Sequence, residues 1–143
     1  MPDYALSLKQ PWATLVVHGL KTMEVRRWPT ARRGRILIHA ARISDDRSEA
    51  WRHVPKELEA TATQTAGIIG AVEIVDCVEY RTLDAFVADQ ARHLNEPGWY
   101  EPPLLYGFAL LRPELLPFRR YPGWFRFFSV KDELPATPRG RGR

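Results

Sequence analysis

Apolar residues in this chain form short runs that are separated by turns rich in proline and glycine. Runs of this length with many β-branched and aromatic residues indicate strands. The predicted strands cover residues 4–8, 22–28, 35–41, 68–78, 106–111, 115–118 and 125–130. The run at 68–78 is almost continuously apolar, which predicts a strand buried on both faces. Glu73 interrupts this run and needs a partner; a neighbouring arginine is the simplest one, and a role as a general base is the alternative.

Helical spacing of apolar residues predicts about three short helices between the strands. The first covers residues 11–18 and ends at Gly19, which readily adopts the left-handed conformation. The second begins at residues 44–46, where Ser-Asp-Asp is a typical helix start, and the third begins at Thr82. The inward face of the third helix is predicted to hold Leu83, Phe86, Val87 and Ala91.

The second predicted strand, residues 22–28, alternates between apolar and polar positions, as a strand with one buried face does. Met23 and Val25 share the apolar face, while Glu24 and Arg26 share the other. We expect this strand to pair with the next strand along the chain. Many short strands between Pro/Gly turns, with few long helices, predict an α+β fold built on a small, closed or nearly closed β-barrel.

The composition is that of one globular domain: 143 residues, of which 45% are hydrophobic and 27% charged. We expect this domain to occupy residues 1–130, followed by a disordered Pro/Gly/Arg-rich tail at 131–143. No run approaches the roughly 18 apolar residues of a membrane span, and the N-terminus lacks a signal-peptide pattern, so we expect a cytoplasmic protein without a membrane partner. The single Cys77 and four scattered histidines predict no metal site, and no cofactor is expected.

The charges are segregated along the chain. Residues 18–42 hold seven basic residues against Glu24 alone, a net charge of +6, whereas residues 43–101 hold five basic and twelve acidic residues. A basic block of this kind is typical of surfaces that bind phosphate groups. The alternative is a solvated segment whose arginines pair with the acidic middle of the same chain.

The residues best suited to chemistry lie between Gly19 and Arg26, where the sequence reads GLKTMEVR. Lys21 can meet a phosphate or a developing negative charge, and the guanidinium of Arg26 can form paired hydrogen bonds to phosphate or to a base edge. Glu24 can accept a hydrogen bond from an amino group or act as a base. The alternative is a surface ion pair between Glu24 and Arg26, worth less than about 1 kcal/mol.

This segment lies between two others, SLKQPWA at residues 7–13 and RGRILIHA at residues 33–40. That succession resembles the ASCH domain (the activating signal cointegrator 1 homology domain), a branch of the PUA-like superfamily. Further matches are GIIGAVE at residues 67–73, YGFAL at 106–110 and GWF at 123–125, so the resemblance spans residues 4–130. It implies a PUA-like small mixed β-barrel of about six strands with about three short flanking helices. It also implies a cleft lined by the QPWA and GLKTMEVR segments.

ASCH domains are generally regarded as nucleic-acid or nucleotide binders, so the resemblance implies RNA, single-stranded nucleic acid or a nucleotide as the partner. In such a cleft Lys21 and Arg26 would bind phosphate. Glu24 and Gln10 would hydrogen-bond a base edge or a ribose, and a tryptophan would stack on a base. The predicted ligand-binding residues are Gln10, Trp12, Lys21, Glu24, Arg26, Trp28, Arg33, Arg35 and His39.

Several of these residues also have a purely structural interpretation. Trp12 has apolar partners at helical spacing, so core packing is its alternative role, whereas Trp28 beside Pro29 has no such pattern. His39 alternates with Leu37 and is also typical of a hydrogen-bonded residue in a barrel wall.

Two hydrolase functions remain as alternatives. Some small ASCH proteins are amidohydrolases on N4-acylated cytidine and use a lysine, a threonine nucleophile and a glutamate. Lys21 matches that pattern, but Glu24 stands where the threonine would be needed, and Thr22 is the nearest substitute. Ribonuclease activity has been attributed to other ASCH proteins; here Glu24 would be the base and Lys21 the charge stabiliser. A third alternative is a noncatalytic protein-interaction module, supported by the aromatic residues at 99–100 and 121–128.

Overall fold

A computed structural model describes residues 3–131, so most of the predicted tail lies outside the described residues. The strands are β1 (Asp3–Leu8), β2 (Met23–Arg26), β3 (Gly34–Ala40), β4 (Gly67–Tyr80), β5 (Leu105–Arg120) and β6 (Phe127–Val130). The α-helices are α1 (Trp12–Val17), α2 (Ser48–Trp51), α3 (Leu83–Ala88) and α4 (Gln90–His93). Single 3-10 turns lie at Lys56–Leu58, Thr61–Thr63 and Pro97–Trp99. None of the helices in residues 3–131 is long and apolar enough to cross a membrane.

The six strands form one mixed sheet in the order β2-β5-β4-β3-β1-β6. Only β1 and β3 are parallel, and every other neighbouring pair is antiparallel. The sheet curls into a half-barrel flanked by the short helices, which confirms the predicted small mixed barrel. Strands β2 and β6 are the two edges of this sheet.

The prediction that the second and third strands pair with each other is wrong. Strand β2 pairs with β5, where Glu24 lies opposite Phe108, and β3 lies between β4 and β1. The basic turn before Gly34 resembles a hairpin in the sequence. In the structure the chain leaves the sheet after β2 instead, because the ring of Trp28 packs on Phe108 and Phe127.

The predicted strands at 106–111 and 115–118 are one continuous strand, β5. Proline normally ends a strand because it lacks the N–H of the ladder. Here Arg112 and Pro113 lie where the register with β4 shifts, between the pairs formed by residues 111 and 114, so neither is needed for pairing. Arg112 adopts a left-handed conformation at this bulge, and its guanidinium donates to Glu73 at 2.9 Å, the arginine partner expected for that carboxylate.

The helix predictions hold only in part. Thr82 caps α3 as expected, because its hydroxyl accepts from the N–H of Ala85 at 3.1 Å. Of its predicted inward face, however, only Phe86 is buried, and Leu83 and Val87 are exposed because α3 is short and lies at the rim of the barrel. Helix α2 begins at Ser48 and not at residues 44–46, because the Asp45 carboxylate bonds Trp12 and Arg47.

Helix α1 is central to the core, and all six of its residues are buried. Gly19 ends it in the predicted left-handed conformation, with φ of 77°. The helix packs on β4, and Gly70 permits the close approach. A β-carbon at Gly70 would lie 2.6 Å from a methyl group of Val17 and 2.4 Å from the Glu114 carbonyl oxygen. The sheet therefore fixes the position of α1, and with it the position of Trp12.

Candidate functional site

The curl of the sheet brings its two edges together and leaves a cleft of about 560 Å³ along the seam between them. Trp28, just after β2, contacts Phe127 of β6 with ring centroids 5.6 Å apart. Arg26 of β2 donates through Nη2 to the backbone carbonyl of Ser7 in β1 at 2.9 Å. Side chains, and not strand pairing, therefore connect the two edges.

Lys21 lies at the inner end of this cleft and is only 2% exposed. Its Nζ donates to the His93 carbonyl at 2.5 Å, lies 3.7 Å from Oε1 of Glu24, and sits 5.0 Å from the centroid of the Trp12 ring. Burial lowers the pKa of Lys21 from 10.5 to about 8, although the charge of Glu24 opposes the shift. Lys21 is therefore still mainly charged at neutral pH.

Glu24 lies between two cations. Its Oε2 accepts from Nε of Arg26 at 2.9 Å, and its other oxygen faces Lys21. The guanidinium of Arg26 also lies 5.7 Å from the ring centroid of Trp28. Lys21, Glu24 and Arg26 thus form one chain of charges with an excess of one positive charge, set in partly buried surroundings that strengthen its field.

Asp45 anchors the opposite wall of the cleft. It accepts from Nε1 of Trp12 at 2.9 Å and from the guanidinium of Arg47 at 2.7 Å. Burial alone would raise the pKa of Asp45, but hydrogen bonds from Arg47 and Trp12 outweigh burial and lower the pKa to about 2. Arg47 in turn lies 3.7 Å from the ring centroid of Trp99. The orientation of Trp12 is fixed by a charge network in addition to core packing.

The outer wall is an aromatic pair in the segment between β5 and β6. Trp124 is 66% exposed and Phe125 is 75% exposed, and their rings stack with centroids 5.4 Å apart. The next residue, Arg126, places its guanidinium 4.9 Å from the ring centroid of Trp28. Exposed stacked rings of this size beside cations provide surface for a planar ligand.

Five of the predicted site residues line the cleft, namely Trp12, Lys21, Glu24, Arg26 and Trp28. Gln10 does not, because it is fully buried: its amide oxygen accepts from the N–H of Thr14 and its amide nitrogen donates to the Gln64 carbonyl. Thr22 is also outside the lining of the cleft and contributes to a small pocket with Gly19.

The remaining predicted residues lie away from the cleft. Arg33 lies 3.9 Å from the Asp76 carboxylate, in the acidic middle of the chain, as the solvated-segment alternative describes. Arg35 also makes an intramolecular ion pair, but its partner, 3.2 Å away, is Glu114, which lies beyond that middle segment. His39 is buried and lines a second cavity on the other side of the Trp124 and Phe125 wall. No group of three or more His, Cys, Asp or Glu side chains within residues 3–131 is placed to hold a metal ion.

The lining residues that were not predicted include the cationic and aromatic side chains of Arg47, Trp99, Trp124, Phe125 and Arg126. The three aromatic residues among them belong to the segments from which the sequence predicts, as an alternative, a protein-interaction surface. The missing information was tertiary, because these residues belong to three loops that only the curl of the sheet brings to the GLKTMEVR segment.

Comparisons with known proteins agree with this architecture. The family model of the ASCH domain matches residues 6–131. The chain is 29% identical to Activating signal cointegrator 1 of Homo sapiens over 107 residues, or 66% of this chain, and 32% identical to the Mus musculus protein over 91 residues, or 54%. It spans only 18% and 15% of the length of those two relatives.

Solved structures show the same fold. Two crystal structures of ASCH from Zymomonas mobilis, the unmodified protein and a mutant, align with 92% of this chain at TM-scores of 0.63 and 0.64. The alignments cover 89% and 92% of those chains, with 17% and 14% sequence identity. The match of the family model over residues 6–131, most of the chain, shows that the chain belongs to the ASCH domain family.

Proposed function

We propose that the cleft binds single-stranded nucleic acid, RNA in particular, or a single nucleotide. One observation carries this proposal: the cations Lys21 and Arg26 share a cleft with the exposed aromatic pair Trp124 and Phe125. A nucleotide presents an anionic phosphate beside a flat base, and this cleft offers a complement to each. Its volume of about 560 Å³ is within the range of about 300 to 1,000 Å³ that is typical of small-molecule sites.

The phosphate would bind at Lys21 and Arg26. The described hydrogen bonds of Arg26 use two of its five N–H donors, one to Glu24 and one to Ser7. The others can donate to phosphate oxygens. Glu24 partly neutralises Lys21, so an arriving phosphate would compete with Glu24 for the ammonium. Burial has already removed this ammonium from water.

The base would stack on Trp124 or Phe125. Stacking of this kind is worth about 1 to 3 kcal/mol per base and requires an exposed base face, which a duplex hides between its neighbours. The wall therefore favours single strands over duplexes.

The amidohydrolase alternative requires Thr22 as the nucleophile. Thr22 does not line the cleft, so the structure gives this alternative no support.

The test is fluorescence anisotropy with a labelled oligoadenylate and with the matching duplex. We expect the single strand to bind more tightly, and R26Q to weaken its binding by about tenfold while reducing the slope of log affinity against log salt by about 1. Replacing both exposed rings, in W124A/F125A, should weaken binding by at least about tenfold without changing that slope.

R35Q is the matched control, because Arg35 belongs to the same basic block and lies outside the cleft. It should bind the oligoadenylate as the wild type does. Equal losses in R26Q and R35Q would indicate nonspecific attraction to a basic surface and would contradict the proposed site. Absence of any salt dependence would contradict phosphate binding altogether.

A further inference from the structure

A serine and a histidine form a hydrogen-bonded pair where the cleft meets the barrel wall. Ser7 of β1 and His39 of β3 lie opposite each other in the parallel register, and Oγ of Ser7 is 2.9 Å from Nδ1 of His39. Nε2 of the same ring is 2.7 Å from the Tyr121 carbonyl oxygen. A carbonyl only accepts, so Nε2 carries the proton and, in the neutral ring, Nδ1 accepts from the Ser7 hydroxyl.

The surroundings of His39 keep this ring neutral and fixed. It is 1% exposed, and burial lowers its pKa from the ordinary value of 6.5. Gly123 packs on the ring so closely that a β-carbon there would lie 2.6 Å from Cε1. The Tyr121 carbonyl orients the imidazole, and Nδ1 faces the Ser7 hydroxyl. Ser7, His39 and this carbonyl are therefore arranged as a nucleophile, its base and the group that orients the base.

Ser7 stands at the boundary between two cavities of different character. One is the charged cleft, and the other is a cavity of about 540 Å³ lined by His39, Ile43 and Tyr121 among others. Both cavities are also lined by Ser7, Trp124 and Phe125. A molecule with an apolar part and an anionic part can therefore occupy both sides, with the bond between its parts near Ser7.

A cation lies beside the same serine. The pairing of β6 with β1 ends at Leu6 and Phe127, so the carbonyl of Ser7 is beyond the ladder and accepts from Nη2 of Arg26 at 2.9 Å. Positive charge fixed next to a nucleophile stabilises the oxyanion that forms when the nucleophile attacks a carbonyl carbon.

We propose that Ser7 is a nucleophile activated by His39, and that the protein hydrolyses esters whose acyl group enters the apolar cavity and whose alcohol part is anionic. Ser7 Oγ would attack the carbonyl carbon as its proton passes to Nδ1 of His39. The bond to the alcohol oxygen then breaks, and that oxygen takes the proton from Nδ1. Water repeats the two steps on the acyl-serine and releases the carboxylic acid. The proposal needs a positively charged cleft and does not depend on nucleic-acid binding.

The first test is covalent labelling with a fluorophosphonate in the absence of nucleic acid. Mass spectrometry should find one adduct per chain, on the peptide that contains Ser7. H39Q should slow labelling by about a hundredfold, the typical contribution of a general base. S129A, which removes an exposed serine of β6, should label at the wild-type rate and serves as the matched control.

The second test is turnover of the butyrate ester of a carboxylated nitrophenol, whose alcohol part is anionic as the proposal requires, with folding checked by circular dichroism. Wild type should release the nitrophenol, and S7A should lose this activity. S7C keeps a nucleophile at the same position, and its acylation by the same ester would show that folding survives substitution. Labelling at another residue, or labelling of Ser7 at a rate unchanged in H39Q, would overturn the proposal. Oligoadenylate binding is measured separately, so either proposal can fail without the other.

Discussion

The ammonium of Lys21 is buried, and burial of its charge costs solvation free energy. It is almost completely buried, and its pKa of about 8 records that burial disfavours its charge. A neutral side chain of similar length at this position avoids that cost, because Glu24 keeps its ion pair with Arg26. K21M is therefore expected to retain or increase the free energy of unfolding while it weakens binding of phosphate.

Binding of oligoadenylate should depend on pH through Lys21. As pH rises from about 7 to about 9.5, the ammonium loses its proton around its pKa of about 8, and affinity should fall roughly tenfold with the loss of one charged hydrogen bond. Bound phosphate raises the pKa of Lys21, so the midpoint in the complex should lie above that of the free protein. Anisotropy titrations across this range measure both.

K21M supplies the control for this pH dependence. Glu24 and Arg26 are the charged groups that face Lys21. Burial lowers the pKa of the nearby His53 and His93, so those rings stay neutral above pH 7. The affinity of K21M for oligoadenylate should consequently be low and independent of pH. A wild-type affinity that is also flat would mean that Lys21 does not contact the ligand.

Site residues could be predicted from the sequence where they lie close together along the chain. Lys21, Glu24 and Arg26 lie within six positions of each other, so any compact strand start brings them together. Gln10 was misjudged because a side-chain amide at a helix start can bond the backbone as well as a ligand, and here Thr14 and Gln64 use it. Only the tertiary structure distinguishes these two outcomes.

The contact between α1 and β4 gives a prediction about a whole element. G70A introduces a β-carbon within 2.6 Å of Val17 and 2.4 Å of the Glu114 carbonyl, so helix and sheet must separate. We expect it to lower the free energy of unfolding by about 1 to 3 kcal/mol, the usual cost of overpacking. G98A is the control, since a β-carbon at Gly98 meets nothing within 4 Å. Urea denaturation should separate the two variants, and equal stabilities would contradict this account of the packing.

Elements were predicted better than their partners. Each of the six strands coincides with a predicted apolar run, although two of the seven predicted runs form the single strand β5. Thr82 and Gly19 mark helix ends by their own chemistry. The partner of β2 did not follow, because strands that are neighbours in sequence pair only when the chain between them turns back. The contacts of Trp28 with Phe108 and Phe127 direct the chain away from the sheet instead. These two residues are 80 and 99 positions further along the chain.

At the scale of the whole molecule, the half-barrel is closed by side chains at the seam of β2 and β6. In segment 121–126 the N–H of Tyr121 donates to the Ala66 carbonyl, whereas residues 122–126 are exposed. Amides at 123–126 should therefore exchange with deuterium quickly in the free protein. Oligoadenylate at about ten times its Kd should slow them by about tenfold, whereas the buried start of β4 should exchange slowly in both states. Unchanged exchange at 123–126 on saturation would place the ligand elsewhere.

The overall charge of the chain was a poor guide to the site. The net charge is +4, yet the basic block at 18–42 divides in the structure. Lys21 and Arg26 enter the cleft, while Arg33 and Arg35 pair with carboxylates on β4 and β5. Ion pairing describes Arg33 and Arg35, while phosphate binding by Lys21 and Arg26 stays a proposal. Sequence order could not assign these residues because the opposing charges come from distant strands.

In the proposed site, the residues that would contact the base, Trp124 and Phe125, are distinct from the residues that stabilise the fold. The two rings are mostly exposed, whereas the flanking anchors, Tyr121 and Gly123, hold the segment against the barrel and His39. Substitutions at such exposed positions usually change stability by less than about 0.5 kcal/mol. Under the proposed function, ligand preference could therefore change during evolution through these two positions alone, without repacking the core and without disturbing the buried charges beneath it.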